Sequence, residues 1–175
     1  MPGLTLVPVG AVPAGFLSAL SARIVSLFAF ETVRARDPLD PSFSRDPERG
    51  QLHSTRLLEA LAAACPPGDG ERILGVADAD LFIPILTFVF GEAQLSGPAA
   101  VLSLTRLRPE FYGLPRDDSV LLARTVKEAL HELGHTYGLL HCRRPDCVMR
   151  ASTNAGEVDL KPALFCRSCA AATRS

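Results

Sequence analysis

His131-Glu132-Leu133-Gly134-His135-Thr136-Tyr137-Gly138-Leu139-Leu140-His141 gathers three of the chain's four histidines into eleven residues and reads HExxHxxGxxH. Side chains four apart share one face of a helix, so His131 and His135 can present ring nitrogens to a single metal ion. Gly138 follows three residues later. Glycine adopts a left-handed conformation without steric penalty, which ends the helix and turns the chain so that His141 returns toward the metal. Three protein ligands leave a tetrahedral zinc one position for water, which distinguishes a catalytic site from a closed structural one. Glu132 is then the candidate general base. Two other readings stand beside this one. In the first, three ordinary helix histidines accompany a solvated glutamate; in the second, His141 joins the neighbouring thiolates, and Glu157 or Asp146 completes the helical pair.

Outward from the histidines lie four of the five cysteines. Cys142 and Cys147 form C-x4-C, and after eighteen residues Cys166 and Cys169 form C-x2-C. Paired knuckles of this kind suit a second, structural zinc held by four thiolates. The alternatives are two disulfides, which need an oxidising compartment, and unliganded thiols. Met1 to Gly15 carries no basic residue and is interrupted by Pro2, Pro8 and Pro13, unlike a secretory signal. The expectation is a cytoplasmic chain with reduced cysteines. Cys65, near the end of an alanine-rich helix, is expected to be a buried small hydrophobe.

With 175 residues and 47% hydrophobic content, the chain suffices for one domain with a substantial core and is short for two. A net charge of -1 provides no global field for nucleic acid or acidic membranes, so neither partner is expected. Arg143, Arg144, Arg150, Lys161, Arg167 and Arg174 near the cysteines suggest a nucleic-acid-binding zinc ribbon, but no series of stacking aromatics accompanies them. The longest apolar run, Leu81 to Phe90, contains Pro84 and falls short of the roughly 18 residues of a membrane span.

Apolar periodicity predicts a strand at Leu4 to Val9, at a sheet edge given Pro8, then a helix from about Pro13 to Leu27 and a strand over Ala29 to Arg36. Asp37 to Arg49 reads as a loop, and Ser54 to Ala64 as a helix stopped by Cys65-Pro66-Pro67-Gly68. Ile73 to Ala77, Leu86 to Phe90 and Ala100 to Leu104 are further strands. Asp117, Asp118 or Ser119 caps a long helix running to about Tyr137. Alternating strands and helices imply an α/β core.

With these residues set out, HExxHxxGxxH resembles the metzincin clan of zinc peptidases. The run His131 to Cys142, then Cys147-Val148-Met149, then Cys166-x-x-Cys169, is similar specifically to the archaemetzincins. Arg49-Gly50-Gln51, Asp80-Leu81-Phe82, Phe88 to Ala93, Ser103 to Leu107 and Phe111-Tyr112-Gly113 extend the likeness over nearly the whole chain. The resemblance implies that His131, His135 and His141 hold a catalytic zinc and that Glu132 is the catalytic glutamate. It further implies that Met149 forms the Met-turn and that Cys142, Cys147, Cys166 and Cys169 hold a structural zinc, giving two Zn2+ per chain. From the residues alone, Met149 would be core packing.

The implied fold is α/β (α+β) and metzincin-like, a single catalytic domain over 1-175. Residues 1-138 would carry a mixed twisted sheet and the active-site helix. Residues 139-175 would form a small irregular subdomain with the Met-turn and cysteine site, closed by a helix. No tyrosine follows the Met-turn. Tyr137 lies two beyond His135 and points off the ligand face, leaving Tyr112 for any oxyanion support from a tyrosine.

The implied function is zinc-dependent hydrolysis of peptide bonds in a peptide or protein substrate, by zinc-activated water with Glu132 as general base and acid. The alternative is a zinc-binding regulatory or binding protein with little proteolysis. If Ala100 to Leu107 is an exposed sheet edge, an extended peptide can add to it, with Arg106 either a substrate contact or a solvated charge. Arg108 to Arg116 is either an ordinary connection or a loop shaping access to the cleft.

Overall fold

A computed structural model describes residues 3–28, 30, 32–64 and 70–173. In chain order the elements are β1 (Gly3–Val9), α1 (Ala14–Leu27), β2 (Thr32–Ala35), β3 (Arg45–Asp46), β4 (Gln51–His53), α2 (Ser54–Ala64), β5 (Arg72–Ala77), β6 (Leu81–Phe82), β7 (Gly91–Ala93), β8 (Ala99–Ser103), α3 (Asp118–Thr136), α4 (Ala155–Leu160) and α5 (Arg167–Ala172). The main sheet has the order β2-β1-β5-β8-β7, with the first four strands parallel and β7 antiparallel to β8. A small sheet, β3-β4-β6, lies beside it.

Strands covered on both faces need apolar residues at successive positions, and these have them. Leu4, Leu6, Leu74, Val76, Ala100 and Leu102 pack with Leu17, Leu20 and Ile24 of α1 and Val126, Ala129 and Leu130 of α3. Val7, Val9, Ile73, Ala77, Ala99 and Val101 pack on the other face with Leu57, Leu58 and Leu61 of α2. Asp117 caps α3, its carboxylate accepting from the backbone N–H of Ser119 and Val120 at 2.9 and 3.1 Å. Beyond Gly138, α4 and α5 are the helices among the described residues, and the rest of that segment is irregular. No helix among the described residues is long and apolar enough to cross a membrane.

Four expectations change. The first strand is not an edge: β1 pairs with both β2 and β5. Pro8 is tolerated because its imide nitrogen faces the side where β2 has already ended, and its carbonyl there accepts from Leu39 N–H at 2.8 Å. Among the described residues the second strand is Thr32–Ala35, and Ala29 and Glu31 lie outside the described residues, as do Cys65, Pro66, Pro67 and Gly68. Within Asp37 to Arg49, a 3-10 turn at Ser42–Ser44 and the short β3 interrupt the loop.

Leu86 to Phe90 is not a strand. Side chains take the place of a ladder there: Arg49 donates to the carbonyls of Leu86 and Thr87 at 2.8 and 3.0 Å, and Gln51 donates to Thr87 at 2.9 Å. Only Val89 makes a bridge, to Leu81. The strand starts instead at Gly91, so β7 is the sheet edge and β8 is interior.

Candidate active site

α3 is buried continuously from Glu128 to Gly134, because its far half runs under the sheet and over the irregular carboxy-terminal segment. The helix stops where expected: Gly138 has φ +83°, its N–H donates to His135 O at 2.9 Å, and Leu139 N–H donates to Gly134 O at 3.1 Å. The turn returns His141, whose ring centroid lies 5.2 and 5.1 Å from those of His131 and His135. One nitrogen from each of the three rings lies within 4.8 Å of the others.

Backbone carbonyls set the tautomers. His131 Nδ1 donates to Val148 O at 2.9 Å, and His135 Nδ1 donates to Leu139 O at 2.6 Å. A neutral imidazole with its proton on Nδ1 has a free lone pair on Nε2. The two Nε2 atoms face each other at 3.2 Å. Ligands about 2.0–2.1 Å from a tetrahedral zinc stand roughly 3.3 Å apart, so these rings fit the ion. Burial, reinforced by the Lys161 ammonium, pushes His131 from 6.5 down to about 3. It is therefore neutral and available as a ligand around pH 7. Burial lowers His135 in the same direction.

Glu132 is buried beside this cluster, against the first residue of the edge strand. A Cβ at Gly91 would lie 2.6 Å from Glu132 Oε1 and 2.7 Å from Val101 O, so only glycine leaves room for the carboxylate. Burial holds that carboxyl well above the usual range, with Glu128 adding to the effect and Lys161 opposing it. A cleft of about 380 Å³ opens here, bounded by Phe88, Phe90, Gly91, Glu128, His131, Glu132, His141 and Ser152 among others.

The four cysteines converge separately. Their sulfurs all lie within 4.8 Å of one another, Cys142 Sγ is 4.0 Å from Cys166 Sγ, and Cys147 Sγ accepts from Cys166 N–H at 3.3 Å. Thiolates about 2.3 Å from a tetrahedral zinc stand roughly 3.8 Å apart. All four are free thiols, not the disulfides kept open as an alternative. Asp146 and Glu157 join neither cluster: Asp146 pairs with Arg144, and Glu157 accepts from Thr153 at the start of α4. Met149 is fully buried, and its sulfur sits where a Cβ on Gly134 would be.

Tyr137 is packed between Phe28 and the guanidinium of Arg72, and Tyr112 donates its hydroxyl to Arg106 O at 2.7 Å, so neither reaches the cleft. Arg106 is neither a solvated charge nor a cleft residue. It grips Asp80 through two hydrogen bonds of 2.9 and 2.8 Å and lies 4.0 Å over the Phe88 ring. Arg108 to Arg116 contains a 3-10 turn at Pro109–Tyr112. Sequence reasoning passed over Gly91, Ser152 and the buried Glu128–Lys161 pair, which meets at 2.8 Å. Glu128 alone carried a signal, standing three residues before His131 and four before Glu132 on the same helix face.

Free imidazole nitrogens converging beside a buried carboxylate, at the foot of a sheet edge, place the molecule among the zinc metallopeptidases, and the comparisons with known proteins agree. The model of Peptidase family M54 matches residues 69–174. The archaemetzincin of Methanocaldococcus jannaschii is 41% identical over 162 residues, covering 93% of this chain and 87% of the relative. A zinc-dependent peptidase structure from Methanocorpusculum labreanum superposes with a TM-score of 0.89 at 33% identity, covering 98% of this chain and 100% of that one. The archaemetzincin of Archaeoglobus fulgidus, solved with malonate, gives 0.83 at 35% identity over 97% of this chain and 99% of that one. The chain belongs to the archaemetzincins, peptidase family M54.

Proposed function

We propose that His131, His135 and His141 are the ligands of the catalytic zinc, and that Glu132 is general base and then general acid in peptide-bond hydrolysis. The observation that carries this reading is the pair of Nδ1–H···O=C bonds, which leave the Nε2 lone pairs of His131 and His135 aimed at one point. Zinc at that point supplies Lewis acidity and makes water acidic enough to react near neutral pH. Glu132 takes the proton of the attacking water and hands it to the departing amine. Its raised proton affinity suits both halves of that transfer. An extended substrate adds along the open edge of β7, which carries Gly91 next to Glu132.

Cys142, Cys147, Cys166 and Cys169 would hold a second zinc, which makes two per chain; four free thiols at ligand spacing favour this over disulfides and suit a reducing, cytoplasmic setting. The division follows as 1-138 above the cleft and 139-175, with the Met-turn at Met149, below it. The test is mass spectrometry of a diverse peptide mixture incubated with zinc-loaded wild type and with Glu132→Ala. Cleavage by wild type alone, with zinc retained in both, is the expected result. Cleavage that persists in Glu132→Ala would remove the glutamate from the mechanism, and none by either would favour a zinc-dependent binding protein.

A further inference from the structure

Phe88 belongs to two surfaces at once. It forms part of the cleft wall, and its ring also carries the Arg106 guanidinium at 4.0 Å. Arg106 extends the stack outward to the ring of Phe111, 5.0 Å away, and Phe111 meets Tyr112 edge-on with centroids 5.1 Å apart. The local fold fixes this pair: Gly113, at φ +75°, ends the 3-10 turn and donates to the carbonyls of Pro109 and Glu110, while the Tyr112 hydroxyl is tied to Arg106 O. Phe111 and Tyr112 are nevertheless 46% and 45% exposed. Leu86 at the cleft and Ile85 beside it are 49% and 87% exposed, on a turn closed by Leu86 N–H donating to Ile83 O and anchored by Arg49. The arginines that approach the rings are already matched, Arg106 by Asp80 and Arg124 by Asp159. Large apolar side chains held rigidly in water beside a cleft mark a surface that another chain covers.

We propose that Ile85, Leu86, Phe111 and Tyr112 form an auxiliary docking surface for an apolar, extended segment of the substrate chain, beyond the residues held at the metal. This rests on the peptidase reading above. The occupant follows from continuity: Phe88 is shared by the cleft and the exposed stack, so a chain that leaves the cleft past this ring meets Phe111 next. Both rings are in reach of one guanidinium and so stand within about 9 Å of each other, about three residues of extended chain. The matched arginines offer an acidic segment no free cation, whereas apolar side chains gain by covering the rings. Contacts so remote from the reacting carbonyl are equal in the ground and transition states, so they lower KM and leave kcat nearly unchanged. The enzyme is thereby fitted to unfolded polypeptide in preference to short peptides.

The test compares a short peptide that fills only the cleft with the same peptide extended past Phe111, at its amino or its carboxy end, by an apolar or by a serine- and glutamate-rich segment. With zinc-loaded wild type, the apolar extension at one end should lower KM by about tenfold, the effect of burying one more large apolar side chain, and the acidic extension should not. In Phe111→Ser, and independently in Ile85→Ser, that advantage should shrink toward none; both side chains are exposed, so the fold tolerates either change. In parallel, fluorescence anisotropy measures binding of the labelled peptides to zinc-loaded Glu132→Ala, where a difference of the same size in Kd is expected. No advantage from an apolar extension at either end, an equal one from both, or one that both serine variants retain would overturn the proposal while leaving the peptidase reading intact. So would a wild-type dimer in analytical ultracentrifugation that Phe111→Ser dissociates, since the surface would then belong to a second copy of the chain. If no peptide is cut, the peptidase reading fails by itself, and the anisotropy difference between apolar and acidic extensions still decides the docking surface.

Discussion

The Nδ1 proton of His131 is donated to the carbonyl oxygen of Val148, 2.9 Å away. Val148 stands between Cys147 and Met149, its own N–H is tied to Leu164 O at 2.7 Å, and Cys142 N–H is tied to Met149 O at 3.0 Å. The strip of chain that brings two of the thiolates together is therefore the strip that holds a proposed catalytic ligand in its tautomer. The two proposed metal clusters share a backbone, and a disturbance at one should reach the other.

Cys166→Ala tests that coupling. It removes a sulfur 4.0 Å from Cys142 Sγ and frees the segment that runs back to Val148. Loss of the structural zinc should weaken zinc at the histidines by about 10–100-fold, the usual effect of disturbing a group that orients a metal ligand. Competition with a graded series of chelators, read by metal content, measures it. Histidine-site affinity unchanged from wild type would show that the clusters are independent.

Gly91→Ala should damage catalysis and cost stability as well. The new methyl group would press on Glu132 Oε1 from 2.6 Å and on the backbone carbonyl of Val101 in β8 from 2.7 Å, so both the carboxylate and the edge pairing must shift. A displacement of the order of 1 Å at a reacting group costs about 100-fold in rate. The expected outcome is kcat lowered by that order with zinc content preserved. A variant with wild-type kcat would mean that Glu132 has room the packing does not suggest.

Gly134→Ala should destabilise the protein although it replaces glycine within a helix. That exchange ordinarily gains about 1 kcal/mol from helix propensity. Here the added methyl would fall on the sulfur of Met149 and close to Phe165, and overpacking costs about 1–3 kcal/mol. Thermal unfolding should show a lower midpoint for Gly134→Ala, and the same exchange should cost less when made in a Met149→Ala background. A single variant more stable than wild type would break the claim that Met149 is fitted against α3.

The parts of the molecule legible in the sequence are those whose geometry is set by nearby residues. The i, i+4 histidines, the Gly138 turn and the Asp117 cap depend on a few consecutive residues, and the structure has each in its expected place. Strand order and edges depend on distant partners. Pro8 argued for an edge, but a proline is harmless wherever the neighbouring strand has already ended, and the sequence does not announce where β2 stops. The apolar run Leu86 to Phe90 has strand composition; only Arg49 and Gln51, reaching across from beside the small sheet, reveal why the Leu86 and Thr87 carbonyls need no ladder. Lys161 and Glu128 are far apart in sequence, and each taken alone resembles a solvated charge.

The zinc-free protein should lose stability on acidification because of His131. Its folded pKa lies at about 3 and its ordinary value at 6.5, so between those limits the unfolded chain binds a proton that the folded chain refuses. Stability contributed by this group is complete above 6.5 and declines as pH falls toward 3, by at most about 1.4 kcal/mol for each pH unit. Urea unfolding of the chelator-treated protein across that window should give a free energy that drops with pH in wild type and a shallower dependence in His131→Phe. Zinc should raise the free energy across the window without flattening its slope, since an occupied Nε2 refuses the proton just as the buried ring does while binding adds its own free energy to the folded state. Equal slopes for wild type and His131→Phe would place the acid sensitivity elsewhere in the chain.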